Sequence, residues 1–162
     1  MTLSRPDDAA CLRQWLAEEA AAVSRFVVLL QREQNQLSQG ETGELPALAE
    51  QKAGLAATLQ RLAEQRNAWL AAQNHPADRV GLESWLEQHP AATDVAAHWE
   101  KIIILAAEAR ELNRLNGELI DLHLRHNALT LHALRGGRDS LDLYGPDGQS
   151  RVVGSRRINA SA

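Results

Sequence analysis

The fold is decided by the stretch from Leu112 to Tyr144, which reads LNRLNGELIDLHLRHNALTLHALRGGRDSLDLY. Its first part repeats leucine at three-, four- and seven-residue intervals, which predicts a long amphipathic helix. The pair Gly136-Gly137 follows Arg135 and predicts the end of that helix. The residues after the pair are poor in apolar side chains and contain Tyr144, the only tyrosine of the chain. The stretch therefore combines an apolar helix with a short tail.

Two further helices are predicted upstream from seven-residue repeats of apolar residues. One repeat contains Leu16, Val23, Leu30 and Leu37, and the other contains Leu48, Leu55, Leu62 and Trp69. A shorter amphipathic helical segment, with Val80, Leu82, Trp85 and Leu86 on its apolar face, follows the breaker sequence Asn74-His75-Pro76. We therefore expect an all-α fold, an antiparallel bundle or coiled coil of three long helices with a short capping helix and a flexible C-terminal tail.

Two basic residues interrupt the apolar repeat of the second helix. Lys52 and Arg66 occupy the row that also contains Leu45 and Leu59. Their stems can lie along the edge of the core with the charges reaching water, or they can pair with acids on a neighbouring helix. The sequence leaves both interpretations open, and neither requires a functional role.

The third helix begins near Asp94 and has more apolar residues than one helix seam needs. Its seam is formed by His98, Ile102, Leu105, Leu112, Leu115, Leu119, Leu122 and Leu129. A second row consists of Ile120, Leu124, Leu131 and Leu134. The helix can be buried on all sides, or the second row can be exposed for a partner helix or for self-association, and along so long a helix the two are not exclusive. The pair Asn116-Gly117 interrupts neither row, so we predict a continuous helix in which Gly117 permits a close contact or a mild bend.

The tail contains a turn motif around its tyrosine. Residues 143–149 read LYGPDGQ, and Pro-Asp-Gly is a strong turn signal. The turn can belong to a small hairpin folded onto the bundle, or it can present Tyr144 as an aromatic anchor for a partner. We accordingly predict a helical domain over residues 1–135 and a flexible tail over residues 136–162.

Composition excludes several other classes of protein. A net charge of −4 and a pI of about 5.9 give no indication of nucleic-acid binding. The single cysteine, the absence of a signal peptide and the absence of long apolar runs predict a cytoplasmic protein without a transmembrane segment. His123, His126 and His132 have no third ligand at matched spacing, so we predict neither a metal nor another cofactor. No catalytic constellation is present, and we expect no enzymatic activity.

The sequence resembles the FlgN family of flagellar type III export chaperones. The resemblance depends on Lys52 with Leu55, Leu59, Leu62 and Arg66, on Leu112-Asn113 with Asn116-Gly117, on the apolar helix that runs to Leu134, and on Leu143-Tyr144-Gly145 with Asp147-Gly148. These segments cover about two thirds of the chain in the expected order. Asn113, Asn116 and Gly117 form the structural motif of the resemblance.

The resemblance implies a small cytoplasmic chaperone that binds the C-terminal helices of the hook-associated proteins FlgK and FlgL through its own C-terminal region. It also implies that Tyr144, with Gly145 and Gly148, docks to the cytoplasmic domain of the export gate FlhA. The second row of the third long helix is then the expected client-binding surface, and we call these four residues (Ile120, Leu124, Leu131 and Leu134) the client row. The alternatives are a homo-oligomeric coiled-coil scaffold or adaptor, with weak self-association, and a metalloprotein that uses His123 and His126.

Overall fold

The computed structural model describes the backbone of residues 6–141 and the side chains of residues 9–136. Within that range the chain forms four α-helices and no strand: α1 (Pro6–Gln39), α2 (Leu45–Ala72), α3 (Arg79–Gln88) and α4 (Thr93–Leu141). The predicted all-α fold with three long helices and one short helix is confirmed. The chain divides into two compact units, the first ending at Ile120 and the second beginning at Asp121.

The ends of the helices follow from local chemistry. Gly40 has a φ of 72° and closes α1, with Glu41 N–H donating to the carbonyl of Gln36 at 2.9 Å. This six-to-one bond is the Schellman arrangement, which favours glycine because a Cβ is strained at positive φ. Pro46 lies in the first turn of α2, as predicted. The Asp78 carboxylate caps α3 by accepting from the N–H of Gly81 at 3.0 Å.

Contacts between side chains set the directions of the long helices within the first unit. Glu19 and Glu33 of α1 pair with Arg66 and Lys52 of α2, so these two helices are antiparallel. Contacts from α1 to α4 run in the same order along both helices, from Arg13–Asp94 to Gln31–Glu108. The antiparallel arrangement predicted for the three helices is therefore confirmed.

The main core lies where α3 meets the other helices. Its buried residues come from all four elements: Leu12, Leu16, Ala20, Leu70, Leu82, Trp85, Val95, Trp99 and Ile102. Trp85 packs edge-on against Trp69 with ring centroids 5.5 Å apart and stacks on His89 at 4.2 Å. The short helix thus caps one end of the bundle. Val80, which the sequence placed on the apolar face of α3, is 63% exposed, and that part of the prediction is wrong.

The helix α4 differs from its prediction at one end. It is continuous through Asn116-Gly117, as predicted, but it does not end at Gly136-Gly137 and runs to Leu141. Each helical glycine costs about 1 kcal/mol relative to alanine, which weakens a helix without ending it when no proline follows. The domain division at residue 135 remains a prediction, and residues 142–162 lie outside the described part of the chain.

Candidate partner-binding surface

A buried ion pair joins the three long helices near the capped end. Arg66 Nη1 donates to both carboxylate oxygens of Glu19, at 2.5 and 2.6 Å, and the exposed fractions of the two residues are 8% and 6%. The guanidinium carbon of Arg66 also lies 5.1 Å from the ring centroid of Trp99 on α4. Because an aromatic face attracts a cation at this distance, one arginine connects α1, α2 and α4. We call these three residues the first polar layer.

A second polar layer lies further along the same helices. Lys52 Nζ donates to both carboxylate oxygens of Glu33, each at 2.8 Å. The side-chain amide of Asn116 donates to Glu33 Oε2 and to the carbonyl of Leu30, both at 2.9 Å. Asn116 is only 1% exposed, and its own side-chain oxygen has no hydrogen-bond partner. This layer again contains one group from each long helix.

The two layers explain three of the residues on which the family resemblance depends. Lys52 and Arg66 pair with buried acids of α1, so the second of the two interpretations left open by the sequence holds. The sequence analysis did not identify Glu19 and Glu33. The available signal was their spacing of fourteen residues on α1, which equals the spacing of Lys52 and Arg66 on α2.

The remaining residues of the structural motif are exposed. Asn113 lies in the wall of a cleft of about 310 Å³ beside Phe26 and Leu59. A Cβ built on Gly117 would meet nothing within 4 Å. Of the two roles predicted for Gly117, the close helix contact is therefore wrong, since the space beside this glycine is open, and the mild bend stays a prediction. Asn116 is the motif residue that contributes to the core.

Beyond residue 120, α4 exposes its large apolar side chains. The exposed fractions of Leu124, Leu131 and Leu134 are 61%, 57% and 64%, and that of Ile120 is 39%. The seam prediction fails here, because Leu122 and Leu129 are 62% and 71% exposed. Of the two interpretations of the client row, the exposed surface is the one that agrees with the structure. Runs of exposed large apolar residues commonly mark interaction surfaces.

An exposed charge network lies on α4 just before these residues. Arg114 bonds Glu111 at 2.7 and 3.0 Å and Glu118 at 2.5 Å, at the three- and four-residue spacings that place side chains on one helix face. The hydrogen bond from Arg114 lowers the pKa of Glu111, and the same pairing raises the pKa of Arg114. Both groups are charged near neutral pH, so this part of α4 has a polar, hydrated surface.

The described residues offer no arrangement suited to metal chemistry. Over that part of the chain, no group of three or more His, Cys, Asp or Glu side chains could hold an ion. The helices formed by residues 6–141 include none that is long and apolar enough to cross a membrane.

A groove of about 470 Å³ between α1 and α2 has an apolar floor that includes Val28, Leu29 and Leu55. Tyr144, Gly145 and Gly148 lie outside the described residues.

The described residues define a small all-α protein with exposed large apolar side chains on α4, and such side chains commonly mark interaction surfaces. A family model described as FlgN protein matches residues 8–151. The chain therefore belongs to the FlgN family.

Curated relatives agree with this assignment. The chain is 29% identical over 152 residues to the flagella synthesis protein FlgN of Salmonella typhimurium, which covers 91% of this chain and 97% of that one. It is 31% identical over 109 residues to the protein of the same name from Proteus mirabilis, covering 62% and 72% of the two chains. Identity to the Escherichia coli protein of that name is 25% over 152 residues. No solved structure matches the chain.

Proposed function

We propose that this protein is a cytoplasmic, non-enzymatic flagellar export chaperone. It binds hook-associated proteins of the FlgK and FlgL type before secretion and delivers them to the export gate, the cytoplasmic domain of FlhA. The observation that carries this proposal is the exposed client row in a chain of the FlgN family. The described residues of this row are Ile120, Leu124, Leu131 and Leu134, all exposed on one helix.

The chemistry of the row suits an amphipathic helix of the client. At about 100° per residue, Leu124, Leu131 and Leu134 fall within an arc of roughly 80° on one side of α4. Such a stripe has the width that one amphipathic partner helix covers. Burying it removes apolar surface from water on both molecules, and it masks client surface that would otherwise aggregate.

The client row is tested by replacing two of its leucines with aspartate. Each buried leucine contributes about 1.5–3 kcal/mol, so Leu124→Asp with Leu131→Asp should weaken binding of a purified hook-associated protein by at least about 100-fold. Isothermal titration calorimetry and size-exclusion chromatography measure the effect. The matched control is Thr130→Asp with His132→Asp, which adds the same charge beside Leu131 but outside the row. Equal binding by the row variant and the wild type would disprove the assignment.

The tail tyrosine is tested separately. We propose that Tyr144, with Gly145 and Gly148, contacts the export gate while the client row holds the client. Tyr144→Ala should leave client affinity unchanged and weaken binding to the cytoplasmic domain of FlhA by about 30-fold, the effect of losing one aromatic anchor. Tyr144→Phe keeps the ring and is the control. Loss of client and gate binding together in Tyr144→Ala would contradict two separate surfaces.

The alternative is a homo-oligomeric scaffold or adaptor, because exposed apolar rows also suit pairing between copies. Sedimentation velocity distinguishes the two functions. A dimer that persists on dilution and binds no hook-associated protein would favour the scaffold, whereas a monomer that forms a complex with the client supports the chaperone.

A further inference from the structure

Residues 121–136 of α4 are apolar on two opposite sides. At about 100° per residue, Leu122 and Leu129 lie roughly 180° around the helix from the middle of the client row. We call these two leucines the opposite row. Both are more than half exposed, as are Leu124, Leu131 and Leu134. The usual surface helix of a globular protein has one apolar stripe, so a second one requires its own explanation.

Polar residues separate the two rows along both edges of the helix. Asp121, Arg125 and His132 follow one edge, and His123 and Thr130 follow the other. A partner helix packs against one side of its neighbour, because helix axes lie about 8–10 Å apart and side chains interdigitate only at the facing surface. A single partner helix therefore covers one row and leaves the other in water.

The opposite row has the spacing of a helix-packing seam. Leu115, Leu122 and Leu129 are seven residues apart, and Leu112 and Leu119 occupy the alternate positions of the same repeat. Within the first unit, Leu112 packs against the buried cluster of Val27, Leu30 and Ala109. Leu115 and Leu119 are half-buried there. The same leucine repeat therefore packs against helices in the first unit and continues with exposed leucines in the second. We expect the partner that covers the opposite row to be a helix as well.

The helix that covers the opposite row could come from a second copy of this chain or from the client, and the small size of the row distinguishes the two. A second copy of this chain would have to associate through two leucines per protomer, far less than the roughly 800 Å² per partner of a standard interface. Two leucines do not repay the translational and rotational freedom lost when separate molecules associate. A second helix of a client already bound at the client row does not incur that loss again, since it is held at high effective concentration.

We infer that the client clasps α4 beyond residue 120 with two helices at once, one on the client row and the other on the opposite row. This inference rests on the proposed function and adds the number of client helices and the face that each one occupies. It makes this part of α4 the central helix of a three-helix assembly that is completed by the client.

The experiment compares three full-length double variants in titrations with a purified hook-associated protein. Leu122→Asp with Leu129→Asp should weaken binding at least about tenfold, and Leu124→Asp with Leu131→Asp should weaken it further. Thr130→Asp with His132→Asp is the control for added charge and should bind like the wild type. The altered side chains are exposed, and far-UV circular dichroism checks that each variant remains helical.

A second measurement reports contact without adding charge. A fluorescent label on Leu129→Cys, in a Cys11→Ser background because Cys11 is exposed, should shift to the blue when the client binds. The same shift is expected for a label on Leu131→Cys.

Two results would overturn the clasp while leaving the proposed function intact. One is wild-type affinity in the Leu122→Asp, Leu129→Asp variant together with no shift at position 129. The other is a wild-type dimer, without client, that this variant converts to a monomer, since the occupant would then be a second copy. Failure of the wild type to bind any hook-associated protein would instead disprove the proposed function.

Discussion

At the scale of single residues, the buried Glu19–Arg66 ion pair constrains how the core packs. Both residues are more than nine-tenths buried, so neither charge is solvated by water. A buried pair roughly offsets its own desolvation, but a buried charge left without its partner is strongly destabilising. The pair therefore contributes more to the specificity of packing than to net stability.

Arg66→Met should lower the free energy of unfolding by about 3–5 kcal/mol, because it leaves the Glu19 carboxylate buried and unpaired. It also removes the cation from the face of Trp99. Urea denaturation followed by circular dichroism measures the loss. The double variant Glu19→Leu with Arg66→Met should recover most of it, since no buried charge remains. An Arg66→Met protein as stable as the wild type would show that the pair is not buried in solution.

At the scale of helices, the glycines differ in what surrounds them. A Cβ on Gly81 would lie 1.8 Å from the carbonyl oxygen of Pro76, so α3 begins where the backbone before it passes too close for any side chain. A Cβ on Gly117 or Gly54 would meet nothing within 4 Å. The first glycine is required by the fold, and the other two are not.

We expect opposite effects from alanine at these positions. Gly81→Ala should destabilise the protein, because the clashing group is backbone and α3 must shift away from the core around Trp85. Gly117→Ala and Gly54→Ala should each raise the free energy of unfolding by up to about 1 kcal/mol through helix propensity. Thermal melts of the three variants check the signs. A melting temperature lowered by Gly117→Ala would indicate a contact at this position that the structure lacks.

The helices could be predicted from the sequence because heptad repeats are local. The repeats of α1 and α2 place Leu16, Leu30, Leu48 and Leu62 in the core, where the structure has them. Burial of Leu122 and Leu129 could not be judged in this way, since the same repeat continues whether or not a neighbouring helix is present. The end of α4 was also missed, because a glycine pair lowers helix propensity without forbidding the helix.

At the scale of the whole molecule, the buried side chains among the described residues all belong to the first unit. Among the side chains that the structure describes, every buried one lies between Leu12 and Asn116. The polar layers, the core around α3 and the smaller cluster around Leu30 all belong to this range. We therefore attribute the stability of the fold to residues up to Ile120 and propose partner binding for the exposed leucines beyond it.

Deleting residues 121–162 should lower the melting temperature by no more than a few degrees, roughly the effect of 1 kcal/mol in a domain of this size. The same deletion should abolish binding of the hook-associated protein, because it removes Leu124, Leu131 and Leu134. Circular dichroism melts and calorimetric titration measure the two properties. A truncated chain that fails to fold would contradict this separation of roles.

The apolar row of α4 could be predicted from the sequence, but the polar contacts between the long helices could not. The client row is visible as surplus apolar residues at helical spacing. The partners of Lys52, Arg66 and Asn116 were not predicted, because pairing between helices depends on which residues are brought level with each other. The spacing of charges on one helix becomes informative only when it is compared with the spacing on another.

That comparison has a consequence for how α1 and α2 find their alignment. Their apolar repeats look the same after a slide of seven residues, so leucines alone do not distinguish the native alignment from its neighbours. The residue midway between Glu19 and Glu33 is Phe26, and the residue midway between Lys52 and Arg66 is Leu59. A slide of one heptad would therefore set one carboxylate against Leu59 and one cation against Phe26. The two polar layers therefore disfavour a hairpin misaligned by one heptad, which the apolar repeats alone would tolerate.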